Sequence, residues 1–180
     1  MERLRLATVW LGGCSGCHMS FLDLDEWLID LASRTDLVFS PLMDAKIYPH
    51  HVGLALVEGA VANEENWEMI HRVRERTKIV VSFGDCAVTG NVTALRNPLG
   101  TALEVLRPIY QERGDLNAHL PDVKEIVPVL LDKVLPVHQV VEVDYYLPGC
   151  PPPASRIRAV VEALLDGRVP HLEGSDRRFG

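Results

Sequence analysis

The chain has 180 residues, 47% hydrophobic and 24% charged, with a formal net charge of −7 at neutral pH. That acidic balance without a Lys/Arg cluster excludes nucleic-acid binding. The longest apolar run, residues 52–61, is broken by Glu58 and falls well short of the roughly 20 residues of a membrane helix, so no transmembrane segment is expected. Met1-Glu2-Arg3 leads straight into a strand-like run with neither a secretory nor a twin-arginine signal. That predicts a cytoplasmic protein whose thiols stay reduced.

Residues 5–11 read as a first strand, rich in Leu, Val and Trp, closed by Gly12-Gly13. Leu24, Trp27, Leu28 and Leu31 then recur at helical spacing, with Ser20-x-x-Asp23 as a capping box. Residues 36–40 form a short strand ended by Pro41, and residues 53–57 a buried one. A helix follows over residues 64–76, anchored by Trp67, Ile70 and Val73. Residues 78–83 are the fourth strand. Leu99, Leu103, Leu106 and Tyr110 predict another helix after a turn at Asn97-Pro98, and residues 114–137 an irregular connection. Residues 140–147 are the fifth strand. The last helix carries Ile157, Val160, Val161, Leu164 and Leu165 on one stripe, with Ser155 as its cap and Gly167 at its end.

This alternation predicts an α/β fold: a flavodoxin-like, doubly wound parallel sheet in order 2-1-3-4-5, within a single domain over residues 1–180. In such sheets ligands bind beyond the carboxyl ends of the strands. That edge would carry Cys14 and Cys17 from strand 1, Glu58-Gly59 from strand 3, Cys86 from strand 4 and Cys150 from strand 5.

These are the chain's four cysteines, and each lies in a Gly- or Pro-bearing turn at the end of an apolar run. One cubane iron–sulfur cluster needs four thiolates, one per iron. A structural zinc site usually uses two paired Cys-x-x-Cys knuckles, whereas only one such pair is present. A redox dithiol would use Cys14 and Cys17 and leave the other two unexplained. Four inert buried cysteines would not require such turns. Gly13, Gly16, Gly84 and Gly149 suit the close approach of a bulky anionic group, and amides beyond strand ends can form anion-binding nests. The prolines after Cys150 also serve simply to delay the last helix.

The set Trp10-Leu11-Gly12-Gly13-Cys14-Ser15-Gly16-Cys17-His18-Met19-Ser20, Val57-Glu58-Gly59-Ala60-Val61, Gly84-Asp85-Cys86-Ala87 and Pro148-Gly149-Cys150-Pro151-Pro152 resembles the small subunit of nickel–iron hydrogenases. It is most similar to the cytoplasmic, bidirectional NAD-reducing group. The resemblance implies that Cys14, Cys17, Cys86 and Cys150 hold one 4Fe–4S cluster proximal to a nickel–iron site in a separate large subunit. It implies a hydrogen:NAD oxidoreductase in which this chain transfers electrons without performing the H₂ chemistry, passing them to an iron–sulfur and flavin diaphorase. Nickel–iron, NAD and FMN would belong to those partner subunits. Periplasmic small subunits carry a leader and a C-terminal cysteine-rich domain, so this chain is expected to offer the proximal cluster alone. A related complex I subunit of the quinone module typically has adjacent cysteines in its first motif and lacks Glu-Gly in its third strand. The spaced pair and Glu58-Gly59 favour hydrogenase. Asp85 replaces a threonine common in periplasmic enzymes, a change expected to leave the ligands undisturbed.

Glu58 at the cluster edge is a candidate interface acceptor or proton-relay group, against the reading of a strand-end acid in water. His18 adjoins a ligand and is a candidate donor to the cluster. His50 and His51 read as solvated loop residues and Met19 and Met43 as packing residues. A flavodoxin-like fold can hold FMN, but the cysteine motifs occupy that edge and no flavin is expected in this chain.

Overall fold

The computed structural model describes residues 3–114, 118–121, 123 and 126–179. Seven strands are present among the described residues: β1 (Leu4–Trp10), β2 (Thr35–Phe39), β3 (Val52–Glu58), β4 (Val61–Asn63), β5 (Thr77–Phe83), β6 (Leu130–Leu135) and β7 (Tyr145–Leu147). Six α-helices accompany them: α1 (Gly16–Leu22), α2 (Trp27–Arg34), α3 (Glu64–Arg76), α4 (Asp85–Thr89), α5 (Ala102–Arg107) and α6 (Ala154–Leu165). Five strands form one parallel sheet in the order β2-β1-β3-β5-β7. The expected 2-1-3-4-5 arrangement therefore stands, and the carboxyl ends of β1, β3, β5 and β7 lie side by side.

The central strands are mostly apolar along their middles because both sheet faces are covered. Period-two alternation divides their side chains between two cores. Leu6, Leu54, Leu56, Val81 and Phe83 pack with Trp27 and Leu31 of α2 and Ile157, Val160 and Leu164 of α6. Ala7, Val9, Ala55, Val57 and Val80 face the other way, against Ile70 and Val73 of α3 and Ala87 of α4. Each fully buried Leu or Val side chain contributes about 1.5–3 kcal/mol.

Several expected boundaries move. The helix expected around residues 20–31 is two helices with a turn between them, and Ser20 is no cap: its hydroxyl sits inside α1 and donates to Pro152 O at 2.6 Å. The last strand is only Tyr145–Leu147, because Val137–Gln139 is a 3₁₀ turn and the loop after it reaches β7 late. The connection expected to be irregular contains β6, which pairs antiparallel with β4. Residues 115–117, 122, 124 and 125 of that connection lie outside the described residues.

Helix α3 occupies residues 64–76 as expected, but Asn63 caps it, accepting from the Asn66 amide at 2.7 Å. Trp67 is no core anchor: it is exposed and its ring meets His71. Asn97 and Pro98 lie within a 3₁₀ segment, Asn91–Leu99, rather than at a turn; after α5 the chain continues as a π segment, Pro108–Glu112. Leu99, Leu103 and Tyr110 are exposed there, so this apolar stripe is a surface. Helix α6 begins after Pro153 without a side-chain cap from Ser155, and Gly167 follows its end in the left-handed region. Among the described residues no helix is long and apolar enough to cross a membrane.

Candidate metal centre

All four cysteines are free and lie at the carboxyl edge of the parallel sheet. Cys14 is exposed in the turn after β1, and Cys17 is buried in the first turn of α1. Cys86 is half-buried in α4 directly after β5, and Cys150 is exposed in the loop after β7. Burial pushes the Cys17 thiol well above the usual range, and Glu58, Cys86, Cys14 and Cys150 push it further. The Cys86 thiol is raised first by burial; a hydrogen bond with Thr93 opposes this, while Cys14, Cys150 and Glu58 add to it. Cysteines as far apart in sequence as Cys14 and Cys150 thus share one electrostatic neighbourhood. Four thiolates held there would need compensating positive charge, which metal ions could supply in place of the thiol protons.

The glycines around the thiols leave little room for side chains of their own. Gly84 has φ +83°, and a Cβ placed on it would overlap the Cys17 sulfur. A Cβ on Gly16 would lie 3.3 Å from the Cys14 sulfur. At Gly59, with φ +90°, a Cβ would come within 2.9 Å of the Leu11 and Gly12 backbone. That close approach lets Ala60 and Gly12 exchange two backbone hydrogen bonds, at 2.8 and 2.9 Å, tying the end of β3 to the first cysteine turn. Thr93 binds the same turn, donating to Gly12 O at 3.0 Å.

The Cys150 loop is held from two sides. Ser20 fixes Pro152 from α1, and Arg156 donates to Pro148 O at 2.8 Å. On the β5 side Gly84 donates to Leu147 O at 2.8 Å. Asp85, only 4% exposed, donates its amide to Gly149 O at 2.9 Å, and its Oδ1 accepts from the Gly149 amide at 2.6 Å. The residue preceding Cys86 is therefore coupled to the residue preceding Cys150.

Glu58 lies in the protein interior, not in water, at 1% exposure. Its Oε2 accepts from the His18 amide at 3.0 Å and also pairs with His18 Nδ1. His18 is therefore turned toward Glu58 through Nδ1, while its buried Nε2 has no hydrogen-bond partner. His50 and His51 are exposed. Met19 is 48% exposed on α1, so it is no core residue, and Met43 is half-buried.

The sequence singled out the four cysteines and Glu58 as candidates but gave no role at this edge to Ser20, Thr93 or Asp85, which hold the turns around them. Ser20 resembled a helix cap, and nothing local marked Thr93. An acid between Gly84 and Cys86 in an otherwise apolar turn was the available signal for Asp85.

The family of the NADH ubiquinone oxidoreductase 20 Kd subunit matches residues 14–164. The chain is 38% identical over 183 residues to the delta subunit of the NAD-reducing hydrogenase HoxS of Cupriavidus necator, covering 98% of this chain and 86% of that one. It is 39% identical over 173 residues to a subunit of the F420-non-reducing hydrogenase vhu of Methanococcus voltae, covering 95% of this chain but only 59% of the relative. A solved structure of an NAD⁺-reducing nickel–iron hydrogenase in the H₂-reduced state matches with a TM-score of 0.94 at 39% identity. That match covers 99% of this chain and 100% of the other. The chain therefore belongs to the hydrogenase small subunits, within the wider family of the NADH ubiquinone oxidoreductase 20 Kd subunit.

Proposed function

We propose that this chain is the electron-transfer small subunit of a multisubunit, cytoplasmic NAD-reducing nickel–iron hydrogenase, and that Cys14, Cys17, Cys86 and Cys150 ligate one 4Fe–4S cluster. The observation that carries the reading is the gathering of four free thiols, from the ends of three separate strands, at one edge of the sheet and within mutual electrostatic reach. Four thiols suit a centre with one iron per thiolate, whereas a structural Cys₄ zinc site usually uses two Cys-x-x-Cys knuckles and only one such pair is present. When bound, such a cluster supplies a one-electron site between a nickel–iron large subunit and an iron–sulfur and flavin diaphorase. The chain's own residues hold the thiols apart, exclude side chains from the cradle and fix the loops. The spaced cysteine pair and the hydrogenase relatives favour this reading over a complex I-like quinone module.

The large-subunit interface is assigned to the apolar surface beside the cysteines. Thr93 joins the Asn91–Leu99 segment to the first cysteine turn, and Leu95 and Leu99 on that segment are 70% and 69% exposed. Burying each would contribute about 1.5–3 kcal/mol. Leu95→Asp and Leu99→Asp are each expected to weaken association with the large subunit about tenfold or more, a loss of 1.4 kcal/mol per tenfold. Quantitative co-purification with the large subunit measures it; undiminished association of the double variant would place the interface elsewhere.

Glu58 is proposed as a buried acid serving proton relay or interface positioning beside the centre. Glu58→Gln keeps an oxygen to accept from the His18 amide but loses the exchangeable carboxyl proton. It is expected to retain the cluster and lower H₂ turnover by about 10²-fold if proton relay through it is required. Full turnover with unchanged pH dependence would remove the relay role.

The whole reading is tested by H₂-dependent reduction of NAD, NADP, ferredoxin and a deazaflavin by the purified complex, together with its nickel content. Nickel with NAD reduction is expected. Reduction of ferredoxin or deazaflavin alone would overturn the NAD assignment and leave the hydrogenase role. A complex without nickel would favour the quinone-module reading.

A further inference from the structure

We propose that Asp85 is a positioning residue that sets both the geometry and the reduction potential of the cluster, by clasping the Cys150 loop and placing a buried carboxylate beside the ligands. The proposal rests on the ligand assignment above. Asp85 makes two oppositely directed bonds with one residue: its amide donates to Gly149 O at 2.9 Å, and its Oδ1 accepts from Gly149 N at 2.6 Å. A cyclic pair of this kind fixes the separation and the relative rotation of two backbones. Asp85 and Gly149 immediately precede Cys86 and Cys150, so the pair sets the spacing of two thiols 64 positions apart in sequence. The adjoining bond from Gly84 to Leu147 O continues the β5–β7 ladder into this clasp, which therefore stands on rigid sheet. Thr89 adds a bond from its hydroxyl to Asp85 O at 2.9 Å, anchoring the acid to its own helix.

The side chain does more than shape the loop. Cluster potentials follow net charge, hydrogen bonds to the sulfurs and solvent exposure. Asp85 acts on the first. Its carboxylate is held in the interior at 4% exposure, where a charge is weakly screened, and negative charge there disfavours the reduced cluster, which carries one more electron. That effect lowers the potential. Asp85 is thus the device by which this cradle sets how readily its centre accepts an electron, a role distinct from ligation.

Two substitutions separate charge from shape. Asp85→Asn keeps an oxygen for the Gly149 amide and removes the charge; Asp85→Ala removes both. The experiment compares wild-type, D85N and D85A intact complexes by iron release to a chelator and by redox titration followed by electron paramagnetic resonance. The relevant signal is identified by its absence from a Cys150→Ala complex. D85N is expected to hold iron as the wild type does and to titrate at a more positive potential. D85A is expected to release this chain's iron about tenfold faster or more, as loss of a partner that orients a ligand does. An unchanged potential in D85N, or iron loss from D85N as fast as from D85A, would overturn the proposal. A wild-type complex lacking this cluster would overturn the ligand assignment and the proposal with it, whereas a wild-type cluster indifferent to both substitutions would overturn the proposal alone.

Discussion

Replacing Cys17 with alanine is expected to abolish the iron of this chain and H₂-dependent reduction of the electron acceptor, leaving H₂ chemistry in the large subunit without an exit for its electrons. The effect should exceed that of any other single substitution. Cys17 is the buried member of the set, and its sulfur feels each of the other three cysteines and Glu58. A lost thiolate leaves one iron without its protein ligand, and the chain has no fifth cysteine to replace it. Cys14→Ala, Cys86→Ala and Cys150→Ala should follow the same course. Iron and acid-labile sulfide counts of each variant complex, set beside acceptor reduction, make the comparison. Retention of the full count after loss of two of these cysteines would remove them from the ligand set.

Gly84→Ala should rank next, although it removes no functional group. The backbone at Gly84 has φ +83° and ψ +162°, a region essentially confined to glycine, so any side chain costs about 1–3 kcal/mol there. The added methyl would also overlap the Cys17 sulfur, and forcing an extra carbon into a packed site costs a further 1–3 kcal/mol or so. Relief by moving Cys17 is resisted by α1, whose Ser20 is fastened to Pro152. Displacing the Gly84 backbone would break its bond to Leu147 and disturb Asp85. The variant is therefore expected to lose about 3 kcal/mol or more of stability and most of its cluster. Thermal unfolding and iron content together test it. Ala at position 84 with wild-type values for both would show that the cradle is looser than these contacts require.

Much of this arrangement was legible in the sequence for a simple physical reason. Buried parallel strands are apolar on both faces and end abruptly at glycine, so residues 5–11, 53–57 and 78–83 announced themselves, and alternation with helices gave the strand order. Once the order was known, the cysteines had to share an edge. What stayed hidden depends on contacts between distant segments. β6 pairs with a three-residue strand and has two exposed positions, so neither length nor alternation distinguished it from a loop. Leu99, Leu103 and Tyr110 have helical spacing, but periodicity identifies an apolar face without saying whether the same chain or another protein covers it. Ser20 has a capping residue's chemistry and a tertiary role, because its partner lies 132 positions away. The Glu58–His18 pair was hidden for the same reason: an acid at a strand end is usually solvated, and only the approach of α1 buries it.

The most direct test of the ligand assignment is anomalous diffraction at the iron edge from crystals of the intact complex. The account predicts four iron positions in the cradle beyond β1, β3, β5 and β7, with one iron bonded to each of the Cys14, Cys17, Cys86 and Cys150 sulfurs. A single metal bound by all four sulfurs, anomalous scattering of zinc in place of iron, or any of the four sulfurs left unbound would contradict it.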